Sequence, residues 1–226
     1  FGQVVLCLLI QIGGLGVATV GAGLIIMVGR KISLRGRAFI KEGTNFSSVS
    51  GIIKFLRKAL FITFTAEIIG AVLSFMVFAR DFEPLKAIWL SVFHSIASFN
   101  NSGFDILGYG NNLYMYRDDV LLNLVTSLLI ILGGIGYLVI IDVCKNKGNF
   151  RRFTMHTKVV ISMTAILLVG GTVILKLTEG DNISWLGAFF TSTSTRTAGF
   201  STFQIGGFSE AGLLAMCFLM FVGASP

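Results

Sequence analysis

The sequence predicts an all-α membrane protein built from repeated units of helix, re-entrant loop and helix. Three observations carry that expectation. The 226 residues are 54% hydrophobic and only 13% charged, with a mean hydropathy of +0.84, whereas soluble domains carry roughly 25% charged residues. A segment occurs twice, 89–104 aligning without a gap on 185–200, 96 residues later. Basic residues, finally, gather in two loops and avoid the other hydrophilic stretches.

The apolar runs long enough to cross a bilayer are 4–29, 59–79, 120–144 and 159–177, with a fifth beginning near 211. About 20 residues at 1.5 Å rise cover a hydrocarbon core of roughly 30 Å. Arg30, Lys31, Arg35, Arg37, Lys41, Lys54, Arg57 and Lys58 lie in one loop, and Lys145, Lys147, Arg151, Arg152 and Lys158 in another. Those two loops hold most of the 18 basic residues, while Asp81, Glu83, Asp105, Asp118, Asp119, Glu179, Asp181 and Glu210 lie elsewhere. This asymmetry places loops 30–58 and 145–158 in the cytoplasm. The successive crossings then alternate correctly only if 85–111 and 183–208 enter and leave on the outer side. The net charge of +7 does not indicate nucleic acid, because the basic residues are not interleaved with aromatics.

The repeat supplies the two re-entrant loops. Both Trp-Leu pairs, Phe93 with Phe189, Ser98 with Ser194, and both Gly-Phe ends coincide, and the chain has only two Trp residues. Ile10-Gln11-Ile12-Gly13-Gly14-Leu15-Gly16 likewise matches Ile130-Ile131-Leu132-Gly133-Gly134-Ile135-Gly136, each leading into a basic loop. The expected organisation is 1–53 as the last helix of a first unit with its cytoplasmic loop, 54–153 as a whole second unit, and 154–226 as a third, truncated unit. The chain opens and stops inside apolar runs, so it is expected to be a piece of a longer protein. Cys7, Cys144 and Cys217 show neither disulfide nor metal spacing.

The first loop begins with a half-helix over 84–99. Pro84 suits its first position, and Asp81 and Glu83 stand where the positive end of a helix dipole favours acids. Sixteen residues rise about 24 Å, too little for a crossing. The helix runs into Asn100-Asn101-Ser102-Gly103-Phe104, where propensity is poor. A half-helix entering from outside aims its negative carbonyl end at mid-membrane, and the extended residues beyond it can offer backbone oxygens to a dehydrated cation. The second loop repeats this, with Asp181 and Asn182 near its start and Thr195-Arg196-Thr197-Ala198-Gly199-Phe200 at its end. A short buried helix ending at a glycine cap is the competing reading of either copy alone.

Asn-Ser-Gly-Phe-Asp at 101–105, Thr-Arg-Thr-Ala-Gly-Phe at 195–200 and Gly-Ala-Ser-Pro at 223–226 resemble the KtrB/TrkH/HKT superfamily of potassium transporters, with the KtrB branch the nearer likeness. The resemblance implies units arranged pseudo-symmetrically around a central pore, each giving one filter strand. Its ion filter would be Asn101, Ser102, Gly103 and Phe104 with Thr197, Ala198, Gly199 and Phe200, and potassium would meet the backbone carbonyls of Gly103 and Gly199. Gly223, Ala224, Ser225 and Pro226 would begin an intramembrane gate below the filter. Implied partners are a homodimeric second copy, a cytosolic nucleotide-binding regulatory ring and membrane lipid, at the plasma membrane. No covalent cofactor is implied; potassium is the transported ion, with sodium a candidate modulator. The first and fourth loops of the pattern lie outside the chain, which leaves potassium against sodium open.

Arg196, a charge beside a cation path, is read as bracing the filter from behind through hydrogen bonds or an acid; an electrostatic brake is the alternative. Glu67 is an ionisable group inside an apolar run and needs a partner, for which Arg196 is a candidate. His94 is read as a packed, hydrogen-bonding residue, and His156 as a residue of the cytoplasmic edge. The glycine runs lack nucleotide-loop spacing and suit close helix packing instead. The sequons at Asn45, Asn100 and Asn182 are read as chance. A secondary transporter with paired hairpins at the midplane is the alternative function. An intramembrane enzyme would need clustered acids or histidines at membrane depth, and only Glu67 is embedded.

Overall fold

The computed structural model describes residues 1–14, 49–108 and 112–223. The described residues form α1 (Gly2–Gly14), α2 (Val49–Phe78), α3 (Pro84–Phe99), α4 (Val120–Gly134), α5 (Tyr137–Lys145), α6 (Met155–Glu179), α7 (Trp185–Thr197) and α8 (Glu210–Val222). Short 3₁₀ turns fill the connections at Tyr114–Tyr116, Phe150–Arg152, Gly180–Asn182 and Ile205–Gly207. The chain divides into two compact units, Phe1–Thr65 and Ala66–Pro226. The first contains α1, with Cys7 and Ile10 buried, and the start of α2.

Two stretches, Arg57–Phe78 and Met155–Asn182, are long and apolar enough to cross a membrane. They match the expected runs 59–79 and 159–177. Most of the run 4–29 lies outside the described residues, and α8 carries the fifth run as a helix of 13 residues. The run 120–144, expected as one span, is broken: α4 and α5 meet at 96°. Between them stands Gly136, whose φ of +82° takes the chain out of the helix.

Polarity is arranged inside out. Ile68, Val72 and Met76 on α2 and Ile166, Val169 and Leu177 on α6 are exposed, whereas Ser95, Ser98, Ser192, Thr193 and Ser194 on α3 and α7 are buried. Water would drive the reverse, so the apolar faces belong against lipid. The molecule is an all-α membrane protein. Its half-helices are the cores around which the longer helices pack: Phe99 of α3 joins Val125 and Leu129 of α4, and Ala188 of α7 joins Leu175, Ile183, Met216 and Leu219.

Helix starts are fixed by side-chain caps. Asp119 accepts from the Leu122 N–H (2.8 Å), Ser184 from Gly187 (3.0 Å) and Ser209 from Gly212 (3.1 Å), each satisfying an N–H that the helix cannot. α3 instead starts at Pro84 with no side-chain cap. Asp81, expected near that dipole, accepts from the Tyr116 hydroxyl at 2.9 Å. Burial, that hydrogen bond and the charges of Asp81 and Asp119 push the Tyr116 phenol well above its ordinary value. At the end of α6, the buried Glu179 accepts from the Ser209 N–H (3.0 Å) and hydroxyl (2.6 Å), placing an anion on the positive end of α8. Loop 145–158 turns at Phe150–Arg152, and Asp142 pins it by accepting from the Thr154 N–H at 2.9 Å.

Candidate functional site

Each half-helix hangs from the long helix before it by one serine. Ser95 Oγ donates to the Glu67 carbonyl (2.7 Å), and Ser192 Oγ to the Leu168 carbonyl (3.3 Å). A glycine one turn further along each long helix makes room. A Cβ on Gly70 would meet Ser95 Oγ and Leu129, and one on Gly171 would meet Ser192 Oγ and Leu219. In apolar surroundings such hydroxyl–carbonyl bonds and small-residue contacts hold helices together.

These anchors correct the repeat's register. The two serines lie 97 residues apart, not 96, and so do the bonds that close the helices, Ser102 N–H to the Ala97 carbonyl (3.0 Å) and Gly199 N–H to the Ser194 carbonyl (2.9 Å). The first loop therefore holds one residue more than the second between anchor and glycine. Asn101 accommodates it with φ of +52°. With the Asn101 N–H also donating to Ser98 (3.2 Å), the end of α3 is a Schellman motif in which asparagine takes the left-handed position.

Beyond that point the 96-residue register returns, and the two loops meet. Gly103 has φ of +69° and Gly199 of +87°, the region that a Cβ disfavours. A Cβ on Gly103 would strike the Ala198 carbonyl oxygen, and the Gly199 carbonyl carbon would lie 3.3 Å away. At Gly199 a Cβ would enter open space. Asn101 and Thr197, equivalent in the repeat, are bonded to each other. With its oxygen accepting from the Gly134 N–H (3.2 Å), the Asn101 amide donates to Thr197 Oγ1 (3.1 Å) and the Ile130 carbonyl (3.2 Å). Ile130 and Gly134 would bond each other in an unbroken helix. α4 nonetheless runs through Gly134, the Ile135 N–H still donates to the Ile131 carbonyl at 3.0 Å, and the 96° break comes at Gly136, whose φ is +82°. Gly133 shares the site, since a Cβ there would strike the Phe99 carbonyl. The glycine run at 133–136 thus serves close packing, against the end of the half-helix. Its counterpart at 13–16 lies partly outside the described residues.

The chain also matches known proteins. The family profile of TrkH, "Cation transport protein", matches residues 1–179 and 149–226. The chain belongs to the TrkH cation transport family. It is 36% identical over 99% of its length to the potassium/sodium uptake protein NtpJ of Enterococcus hirae, covering 51% of that protein. It is 32% identical to the Ktr system potassium uptake protein B of Bacillus subtilis and 34% identical to that of Vibrio alginolyticus, in both cases over 99% of its length, covering 52% and 51% of them. The chain thus spans about half the length of these relatives, which are transport proteins rather than enzymes.

The remaining expected site residues fall into distinct settings within this TrkH-family chain. Phe104 is 52% exposed, while its repeat partner Phe200 is 3% exposed. The Phe200 ring meets His94 edge to face at 5.2 Å, and its carbonyl accepts from Ser194 Oγ at 2.6 Å. His94 is buried, with Nε2 2.8 Å from Thr126 Oγ1 and its ring edge to face with Phe78. Ser102 Oγ turns back to donate to the Ala97 carbonyl (3.2 Å). Glu67 accepts from the Asn100 amide at 3.1 Å. Arg196 is 8% exposed; its Nε donates to the Gly223 carbonyl (2.7 Å), and Nη2 lies 3.4 Å from Thr164 Oγ1. Ala224, Ser225 and Pro226 lie outside the described residues.

Sequence reasoning missed several of these roles. Asn100 as the donor to Glu67, Thr126 beneath His94, Ser194 on the Phe200 carbonyl and Thr164 beside Arg196 are all polar residues in helices or at a helix end. Polarity inside a chain this apolar was the available signal. Among the described residues no group of histidine, cysteine or acid side chains is placed to hold a metal ion.

Proposed function

We propose that this chain contributes two filter strands to a potassium-uptake path. The observation that carries the reading is the meeting of the two glycine loops, with Gly103 against the backbone of Ala198 and Gly199. Each loop follows a half-helix of fewer residues than a crossing needs, 16 in α3 and 13 in α7. The carbonyl ends of both helices therefore direct partial negative charge to one place. A cation entering it exchanges water for peptide oxygens, at a site whose geometry the positive φ of both glycines permits.

Not every residue of the two strands would face the ion. Ser194 takes the Phe200 carbonyl, and Phe200 packs on His94, so Phe200 fixes the second loop against the first half-helix. The ion falls to the carbonyls of Gly103 and Gly199. Inward movement would be driven by membrane voltage, worth about 2.3 kcal/mol per charge per 100 mV. The same reading takes 54–153 and 154–226 as successive units around a pseudo-symmetric pore in the plasma membrane, with loops 30–58 and 145–158 in the cytoplasm. The names of the Ktr-system relatives support a multi-component assembly. The partners proposed for it are a second copy and a cytosolic nucleotide-binding ring, with sodium as a modulator. Residues 223–226 would begin the gate.

The test is Gly199→Ser in the full-length protein. Open space beside Gly199 accepts the side chain, but the left-handed backbone resists it, so the carbonyl should shift. Potassium-to-sodium selectivity in proteoliposome flux should fall with expression retained. An unchanged flux ratio would remove Gly199 from the ion path.

A further inference from the structure

The Gly199 N–H donates to the Ser194 carbonyl at 2.9 Å, which fixes the peptide before Gly199. The peptide after it holds the Gly199 carbonyl and the Phe200 N–H in one plane. Gly199 has φ of +87° and no side chain to set that plane, so its orientation falls to Phe200. Phe200 is anchored twice. Its carbonyl accepts from Ser194 Oγ at 2.6 Å, within its own repeat. Its ring meets His94 edge to face at 5.2 Å, and His94 belongs to the other half-helix, α3. The imidazole is itself held: Nε2 lies 2.8 Å from Thr126 Oγ1 on α4, and the ring meets Phe78, the last residue of α2, at 5.7 Å. Phe78 in turn meets Tyr116 at 5.3 Å. Four buried rings thus form a column from the second loop to the connection before α4. That connection also clasps the next residue, since the Ser201 carbonyl accepts from the Leu113 N–H at 3.1 Å and the Ser201 N–H donates to Asn112 Oδ1 at 3.3 Å.

We propose that His94 is a positioning residue for ion preference: its ring fixes Phe200 and, through Phe200, the direction of the Gly199 carbonyl. This rests on the reading of 197–200 as a filter strand. A carbonyl site chooses among cations by the number and placement of its oxygens, so a strand held more loosely discriminates less. His94 carries two separable properties. Its ring touches Phe200, whereas its bond to Thr126 only steadies the ring. Ion preference should therefore follow the ring and not the hydrogen bond, and a residue that merely filled space would affect stability alone.

The experiment compares rubidium and sodium flux through full-length protein in liposomes. Thr126→Val is combined with His94→Phe or with His94→Leu, so that both variants lose the polar pair and only the first keeps a ring. His94→Phe should hold the rubidium-to-sodium ratio of the unaltered protein. His94→Leu should lower it roughly two- to tenfold, the range an edge-to-face ring pair supplies. His94→Gln, which keeps a polar group toward Thr126 and loses the ring, should lower it likewise, and it serves if the Thr126→Val variants do not fold. Equal ratios in His94→Phe and His94→Leu, or an unchanged ratio in His94→Gln, would overturn the role of the ring. Gly199→Ser tells the two readings apart. A ratio that falls there but not in His94→Leu removes His94 alone, while a ratio unchanged in Gly199→Ser removes the filter strand and this inference with it.

Discussion

Replacing each loop glycine by alanine separates backbone strain from steric contact, because the two sites share the first and differ in the second. Both have positive φ, +69° at Gly103 and +87° at Gly199, so each alanine costs about 1–2 kcal/mol for a left-handed residue with a Cβ. At Gly199 the new methyl enters open space, and the cost ends there. At Gly103 it meets the Ala198 carbonyl oxygen. That neighbour is backbone, which cannot rotate away, so the two loops must part. Overpacking of this kind adds about 1–3 kcal/mol. Parting would also strain the bond between Asn101 and Thr197. Gly103→Ala should therefore exceed Gly199→Ala by about 1–3 kcal/mol, on the order of tenfold in the relevant equilibrium. Thermal unfolding of the full-length protein in detergent and rubidium uptake in liposomes both read it. Equal effects of the two alanines on unfolding would refute the contact between the loops.

Two further outcomes follow from side chains away from the glycines. Asn101→Leu keeps the bulk of the side chain but removes the partner that Ile130, Gly134 and Thr197 share; it should destabilise by about 2–3 kcal/mol. Thermal unfolding of the full-length protein in detergent reads the loss, and an unchanged midpoint would remove Asn101 from the contact between loop and helix. Tyr116→Phe removes the bond to Asp81 and should lower the unfolding midpoint at neutral pH. Because the folded phenol titrates higher than the unfolded one, its contribution is whole below about pH 10 and is lost as pH rises further. The variant should lack that alkaline loss, which a comparison of unfolding midpoints from pH 8 to 11 checks.

The sequence displayed the broad plan because the plan rests on features that survive in a one-dimensional record. Lipid exposure writes long apolar runs, the loops carry the chain's two tryptophans, and the glycines mark positive φ. The structure bears out the all-α membrane class and the long helices at 59–79 and 159–177. The one-residue slip between half-helix and loop was hidden because the 96-residue match is ungapped, and the anchoring serines, 97 apart, are too ordinary a residue to betray it. The bend after α4 was hidden for a different reason. Residues 120–144 are apolar enough to read as one span, and Gly136, whose positive φ breaks them, sits in a glycine run that reads as helix packing. Glu67 invited a charged partner, and Arg196 was the obvious candidate. Instead the Asn100 amide reaches Glu67, while Arg196 turns to a main-chain oxygen on α8, an acceptor that every residue possesses and no motif can announce.

Rubidium anomalous scattering from crystals of the full-length protein bears most directly on the claim that two loops share one cation. A peak bounded by backbone oxygens of both 101–104 and 197–200, and lost on soaking in rubidium-free lithium solution, is the expected result. Rubidium found only elsewhere, with the Gly103 and Gly199 carbonyls turned into packed side chains, would contradict it.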